Sequence, residues 1–334
     1  AETASDYQGK AHNERLTQVA AKGFLGKVYL TMAGFPLNDT AKKAEAQQLF
    51  KEVIDYATAR NKYWMADMDA WNQSWLHEND NKYAIFEIQY IAEAGQGNPM
   101  VTLTVPSNPG TDWCGNNLVT GTHVYIERGL QRHFIAKDEI TGEYIDKRAD
   151  GTLNLKETVD EDGNIVTSEG KTFYTKYFES KVKRAKFGMS DMDATIVDRS
   201  YWPQNFQLLR IEDIMLLYAE CVGNTIEGRE VVNKIRRRAG LADLDINLSE
   251  EEFQKAVQDE RRYELAEEGV RWFDLVRRNE YVDTIKQMFI NDDDTENGTY
   301  RQYANRVNAD MYLYPIPQSQ IEVRKGLYTQ NKGY

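Results

Sequence analysis

Apolar positions recur at steps of three and four in several stretches of this chain, and each stretch predicts a helix. Between Arg15 and Ala33 the stripe is Leu16, Val19, Ala20, Phe24 and Val28. Between Thr40 and Arg60 it is Ala46, Phe50, Val53 and Ala57. Gly34-Phe35-Pro36 breaks the chain between them, so the two helices fold back as a helical hairpin, the unit of helical solenoids. Gly23 and Gly26 each cost about 1 kcal/mol against alanine inside a helix, and their use is close approach of a second helix.

A second pair follows. Leu208, Ile211, Met215, Tyr218 and Val222 predict a helix from Phe206 to Cys221, ended by Gly223-Asn224. Val231, Ile235 and Ala239 predict its partner from Glu227 to Ala239, with Gly240 as the cap. Ser249 then opens another helix, with Glu252 at capping-box spacing and Phe253 and Val257 facing inward. Gly269 breaks or kinks that helix.

The middle of the chain has little helical period. Tyr63–Tyr90 holds Trp64, Trp71 and Trp75, and Tyr83–Ile88 predicts a strand. Ala92–Thr122 is loop-like, Tyr144–Phe178 predicts a hairpin around Asp162-Gly163-Asn164, and Asn291–Gly298 is an acidic loop. Loops this long are functional or disordered.

The densest pattern lies at Glu260–Arg278, where ten charged and three aromatic side chains share nineteen residues. Tyr263, Trp272 and Phe273 need apolar surroundings, so the stretch predicts a helix that is half core and half ion-pair lattice. Glu267 and Arg271, like Asp274 and Arg278, stand in the acid-first i,i+4 order. The same carboxylates suggest the acid/base pair of a glycosidase. The interleaved arginines argue against that, because they lower carboxylate pKa values where a general acid needs the opposite shift.

Composition narrows the function. The 334 residues carry a formal charge of −12 and no basic block, which disfavours nucleic acid and an anionic membrane surface as partners. The longest apolar run, Ile214–Ala219, is far too short to span a bilayer. Ala1–Asn13 is small and polar, and reads as a linker or cut end. Cys114 and Cys221 form no disulfide framework, and His12, His77, His123 and His133 are scattered without a zinc motif, so no metal or cofactor is expected. The acidic runs Asp160–Asn164 and Asp292–Gly298 miss the calcium-loop spacing and read as solvated turns.

One loop carries binding chemistry. Trp113 stands among Asp112, Cys114, Gly115, Asn116 and Asn117, on no amphipathic stripe. An indole covers the C–H face of a sugar while Asn and Asp take its hydroxyls; the alternative is a tryptophan that pins its own loop. Trp71 and Trp75, four apart, favour core packing over a shared ligand face. No phosphate loop, dinucleotide fingerprint or nucleophile elbow is present, and no enzyme is indicated.

The helix motifs and the C-terminus together resemble one family. Leu208–Glu220 is similar to an R-x-x-E/D…L-x-x-A-E helix, and Val232–Leu241 to N-x-x-R-x-R-A-G-L. E-R-R-x-E-L…E-G-x-R-W-F-D-L-x-R follows, and the chain closes on Tyr314-Pro315-Ile316-Pro317 and Gln330-Asn331-Lys332-Gly333-Tyr334. These resemble the SusD/RagB family of outer-membrane nutrient-binding lipoproteins. The resemblance covers roughly the C-terminal two-thirds of a member, without the family's signal peptide, lipid-bearing cysteine and first helices; Lys332 stands where proline is usual.

What the resemblance implies is a mostly α, tetratricopeptide-like helical-pair scaffold with long irregular loops and a few short β-hairpins. A single domain would span 14–334, with helical pairs near 15–60 and 206–240, a ligand-side insertion near 61–205 and a C-terminal helix and tail at 249–334. Arg210, Glu220, Arg236, Glu260, Arg261, Glu264 and Arg271 would hold helices together. The expected function is non-catalytic: capture of an oligosaccharide or polysaccharide at the outer face of the outer membrane by a lipid-anchored protein, for a SusC-like TonB-dependent transporter. The expected ligand residues are Tyr90, Asp112, Trp113, Asn116 and Asn117. An oligopeptide-binding member or a protein-interaction scaffold is the alternative.

Overall fold

The computed structural model describes residues 16–76, 81–93, 95–104, 126–155, 157–159, 165–167, 172–179, 181–189, 202–291, 299–324 and 326–334. In chain order these form helices α1 (Gln18–Ala33), α2 (Lys42–Arg60) and α3 (Met68–Gln73), then strand β1 (Ala84–Ile88) and helices α4 (Met100–Thr104), α5 (Arg128–Ile135) and α6 (Ala149–Thr152). Four short strands follow, β2 (Leu153–Asn154), β3 (Glu157–Val159), β4 (Ile165–Thr167) and β5 (Phe173–Tyr174), then α7 (Lys181–Lys186) and β6 (Phe206–Arg210). The chain continues through α8 (Ile211–Val222), α9 (Ile226–Arg238), α10 (Glu250–Glu264), α11 (Arg271–Arg277), α12 (Tyr281–Asn291), α13 (Thr299–Ala304) and α14 (Gln318–Val323).

The helical hairpin forms as the pattern requires. Thr17 caps α1 through Ala20 N at 3.1 Å, and α1 packs on α2, which packs on α8. Gly26 is where the hairpin closes: a Cβ there would lie 2.6 Å from the Phe50 ring. At Gly23 a Cβ would meet Leu209 of β6 at 2.7 Å and Ile214 of α8 at 3.4 Å, so a strand and a second helix both approach there. The turn after α1 docks on α11, with Phe35 N donating to Arg277 O at 2.7 Å.

Residues 206–221 depart from the expectation of one helix. Phe206–Arg210 is a strand paired antiparallel with β1, and α8 begins only at Ile211. A short apolar run carries both periods, and the edge of β1, itself rich in β-formers, decides between them. Leu208, placed on the helical stripe by its spacing, is partly exposed. From Ile211 to Cys221 every residue is buried, so α8 is the axis about which α2, α9 and α10 are arranged. Phe50, Val53, Ile214, Leu216, Val232 and Phe253 fill the core between them.

The later caps follow the sequence. Ser249 and Glu252 form the capping box of α10, Thr225 caps α9 through Gly228 N at 3.0 Å, and Gly240 ends it at φ 79°. Among the described residues the β structure is three two-stranded antiparallel sheets, β1–β6, β2–β5 and β3–β4. Only β3–β4 joins strands close in sequence, with Val159 opposite Ile165; residues 160–164 lie outside the described residues, as does the acidic run 292–298.

The C-terminal motif acts as a clasp. Gln330 exchanges hydrogen bonds with the backbone of Ile316 at 2.8 and 2.9 Å, and Asn331 Nδ2 donates to Tyr314 O at 2.7 Å. Lys332, the departure from the family pattern, reaches Asp310 at 3.0 Å from an exposed position.

Candidate ligand site

The charged stretch divides into a closed part and an open part. At the closed centre, Glu264 is fully buried and accepts from Arg210 at 2.7 Å, Arg238 at 2.6 Å and Arg148 at 2.8 Å, and from the Trp71 indole at 3.2 Å. Arg148 also binds Asp146 and Glu260, Arg238 binds Glu212, and Arg210 binds Glu212 and Glu268. Lys176, fully buried just after β5, reaches Glu268 at 2.9 Å and Glu264 O at 3.0 Å. At the rim, His133 bonds to Asp146 at 2.8 Å and stacks on Tyr263 with ring centroids 3.5 Å apart.

A second group joins α8, α10 and α11. Arg261 binds Asp213 at 2.9 Å and Asp274 at 2.8 Å, while Arg277 joins Asp274 and Glu220. The expected i,i+4 pairs do not form. The helix ends at Glu264, and the turn through Glu267 (φ 69°) and Gly269 (φ 74°) separates Glu267 from Arg271. Asp274 turns to Arg261 and Arg277, so Arg278 bonds instead to Glu220 at 3.2 Å and Glu280 at 3.3 Å. The expectation that Arg271 fastens helices is also corrected: among the described residues its side chain forms no ion pair or hydrogen bond.

Burial alone would raise these carboxyl pKa values, but the guanidinium charges outweigh it. Glu264, facing Arg238, Arg210 and Arg148, is held well below the usual range, as are Asp146 by Arg148 and Asp213 by Lys27 and Arg261. Glu220, beside Arg277, falls from 4.5 to about 2. A depressed folded-state pKa adds stability that is complete above the unfolded value and disappears as pH falls through the folded one. The thermal midpoint is therefore expected to drop steadily as pH falls from 4.5 to about 2, the window set by Glu220. A flat midpoint across that window, read by circular dichroism, would contradict the lattice.

The insertion rests on an aromatic floor. Trp71 and Trp75 pack edge-on at 5.8 Å, Trp75 meets Tyr177 at 5.6 Å, and all three are buried, as core packing predicts. Trp202 Nε1 donates to Tyr177 O at 2.9 Å. Asn98 ties the 95–104 segment down, donating to Trp202 O at 2.6 Å and Gln204 O at 2.9 Å. Of the expected ligand residues, Tyr90 is half-buried at this floor, its N–H donating to Asn205 Oδ1 at 3.0 Å. Asp112, Trp113, Asn116 and Asn117 lie outside the described residues. The scaffold on either side of that stretch is fixed: Thr104 is buried, and Glu127 caps α5 and pairs with Arg262.

The open part is a cavity of about 1180 Å³, somewhat above the usual size of small-molecule sites. Glu127 and Leu130, the outer face of α10, the 265–270 turn, Arg271, Trp272 and the near face of α12 line it. Trp272 is braced by Tyr281 at 5.8 Å and Tyr314 at 6.3 Å. Phe273, expected to be sheltered, is 69% exposed beside a smaller cavity of about 340 Å³. Glu267 lines the large cavity without a guanidinium partner; its Oε2 accepts from Lys176 N at 3.0 Å, and burial pushes its pKa up to about 8. Sequence reasoning missed this cavity because the residues lining it were assigned to the lattice. The signal available was Gly269, which takes the chain out of the helix halfway along the stretch.

These features define a helical-pair scaffold whose buried charges fasten helices and against which a cavity opens beside α10 and α12. Residues 33–334 match the SusD family, and the chain belongs to it. It is 29% identical over 139 residues to a SusD-like protein of Formosa agariphila, a match covering 38% of this chain and 24% of that protein. A solved SusD homolog from Bacteroides thetaiotaomicron superposes with a TM-score of 0.74 at 20% identity, over 99% of this chain and 66% of the other. Surface glycan-binding protein A from the same organism, solved with laminarihexaose, gives 0.65 at 18% identity over 96% and 64%. The chain thus spans about a quarter of that curated relative and just under two thirds of these solved chains.

Proposed function

We propose that the chain is a non-catalytic glycan-binding protein that passes oligosaccharide to a SusC-like TonB-dependent transporter. The observation that carries this reading is family membership across residues 33–334 on a scaffold whose carboxylate hub is sealed and neutralised, leaving a cavity beside the insertion. The relative solved with laminarihexaose supports the choice of a saccharide ligand. SusD proteins are typically outer-membrane lipoproteins, and the reading places this one, lipid-anchored, on the extracellular face. No described helix is long and apolar enough to cross a membrane.

Trp113, Asp112, Asn116, Asn117 and Tyr90 are the proposed sugar-binding residues. Trp113→Ala is expected to weaken oligosaccharide binding about tenfold, from a dissociation constant on the order of micromolar to millimolar, at an unchanged unfolding midpoint. Titration calorimetry showing equal affinity for the two proteins would reject that assignment.

A protein-interaction scaffold is the second reading, favoured by the exposed Leu25 and Val28 on α1, Leu37 beyond it, and Phe273. Copurification of a transporter by a protein that binds no member of a broad glycan array would establish it over the first.

A further inference from the structure

Five arginines lie in the 260–278 stretch, and four have carboxylate partners: Arg261 with Asp213, Arg262 with Glu127, Arg277 with Glu220, and Arg278 with Glu280. Arg271 is the exception. Its guanidinium is half-buried in the cavity lining, and Asp274, Asp259 and Glu280 act on it only from a distance. Burial without a partner lowers its pKa, a cost that a bound carboxylate would remove. Glu267 lines the same cavity but is not free in this way, since its Oε2 accepts from Lys176 N at 3.0 Å. Trp272 supplies a braced indole to the same cavity, and Leu265, Val270 and Met288 an apolar lining.

We propose that this cavity binds a uronate unit of an acidic oligosaccharide, with the Arg271 guanidinium on the sugar carboxylate and Trp272 against the ring. The inference rests on the glycan-binding reading and names the ligand class of a site separate from Trp113. A planar guanidinium matches the two oxygens of a carboxylate. The net charge of −12 opposes a polyanion, so the favoured ligand carries one carboxylate among neutral rings.

The test is calorimetry with three probes: an oligosaccharide bearing a single uronate, the same oligosaccharide with that carboxyl reduced to the alcohol, and a neutral β-glucan oligomer. The acid form is expected to bind the unaltered protein about tenfold more tightly than the reduced form. Arg271→Met should bring that ratio to one without changing affinity for the reduced form, and Arg271→Lys should keep part of it. A ratio of one on the unaltered protein, or a ratio that survives Arg271→Met, overturns the inference and leaves the glycan reading intact. Absence of binding by all three probes, confirmed on a broad glycan array, removes both. If Arg271→Met fails to fold, the ratio on the unaltered protein and on Arg271→Lys decides.

Discussion

Glu264→Ala is expected to destabilise the protein by roughly 3–5 kcal/mol, a large share of the ~5–15 kcal/mol that holds a typical domain folded. The size follows from what the substitution leaves behind. Arg148, Arg210 and Arg238 all direct guanidinium nitrogens at this one carboxylate, and all three are buried. Removing the anion strands part of their charge where water cannot replace it, although Asp146, Glu260, Glu212 and Glu268 still hold their other nitrogens. Glu264→Gln keeps the volume and one acceptor and should cost less than alanine. Urea unfolding of the three proteins checks the order; equal midpoints would mean that the hub contributes nothing beyond packing.

Trp71→Ala is expected to cost a comparable ~3–5 kcal/mol, by a different mechanism. The indole is fully buried, edge-on to Trp75, and its Nε1 donates to Glu264 at 3.2 Å. Alanine opens a void, removes that donor and strips the ring over which Lys176 sits at 5.5 Å. The void cannot close easily, because Gly151 already presses against the indole: a Cβ there would lie 2.3 Å from it. Trp71→Phe should recover most of the packing term but not the hydrogen bond. Trp71 and Glu264 touch, so the double variant should fall short of the sum of the singles. Chemical denaturation of the four proteins measures that coupling, and strict additivity would count against a shared core.

The two scaffolding helices were legible from residues 15–60 because long, strongly periodic segments leave little ambiguity, and the capping box at Ser249 was legible because its two hydrogen bonds are local. Phe206–Arg210 was not, since whether five apolar and polar residues pair as a strand depends on β1, more than a hundred residues away. The arginine lattice was visible as composition but not as connectivity. Spacing suggested neighbours on one helix, whereas Arg148, Lys176 and Arg210 arrive from the insertion and from β6. The cavity was hidden for the same reason: a local pattern shows which residues are charged, not which of them the fold leaves unpaired, as it does Arg271.

The burial of the Glu264 hub has one more consequence. Mobile counter-ions weaken attraction between charges they can surround, within a Debye length of about 8 Å at physiological ionic strength. They have no route to carboxylates and guanidiniums enclosed by α8, α10 and the Trp71–Trp75 floor. A protein cemented in this way keeps its shape through swings in salinity that would loosen one held by bridges on its skin.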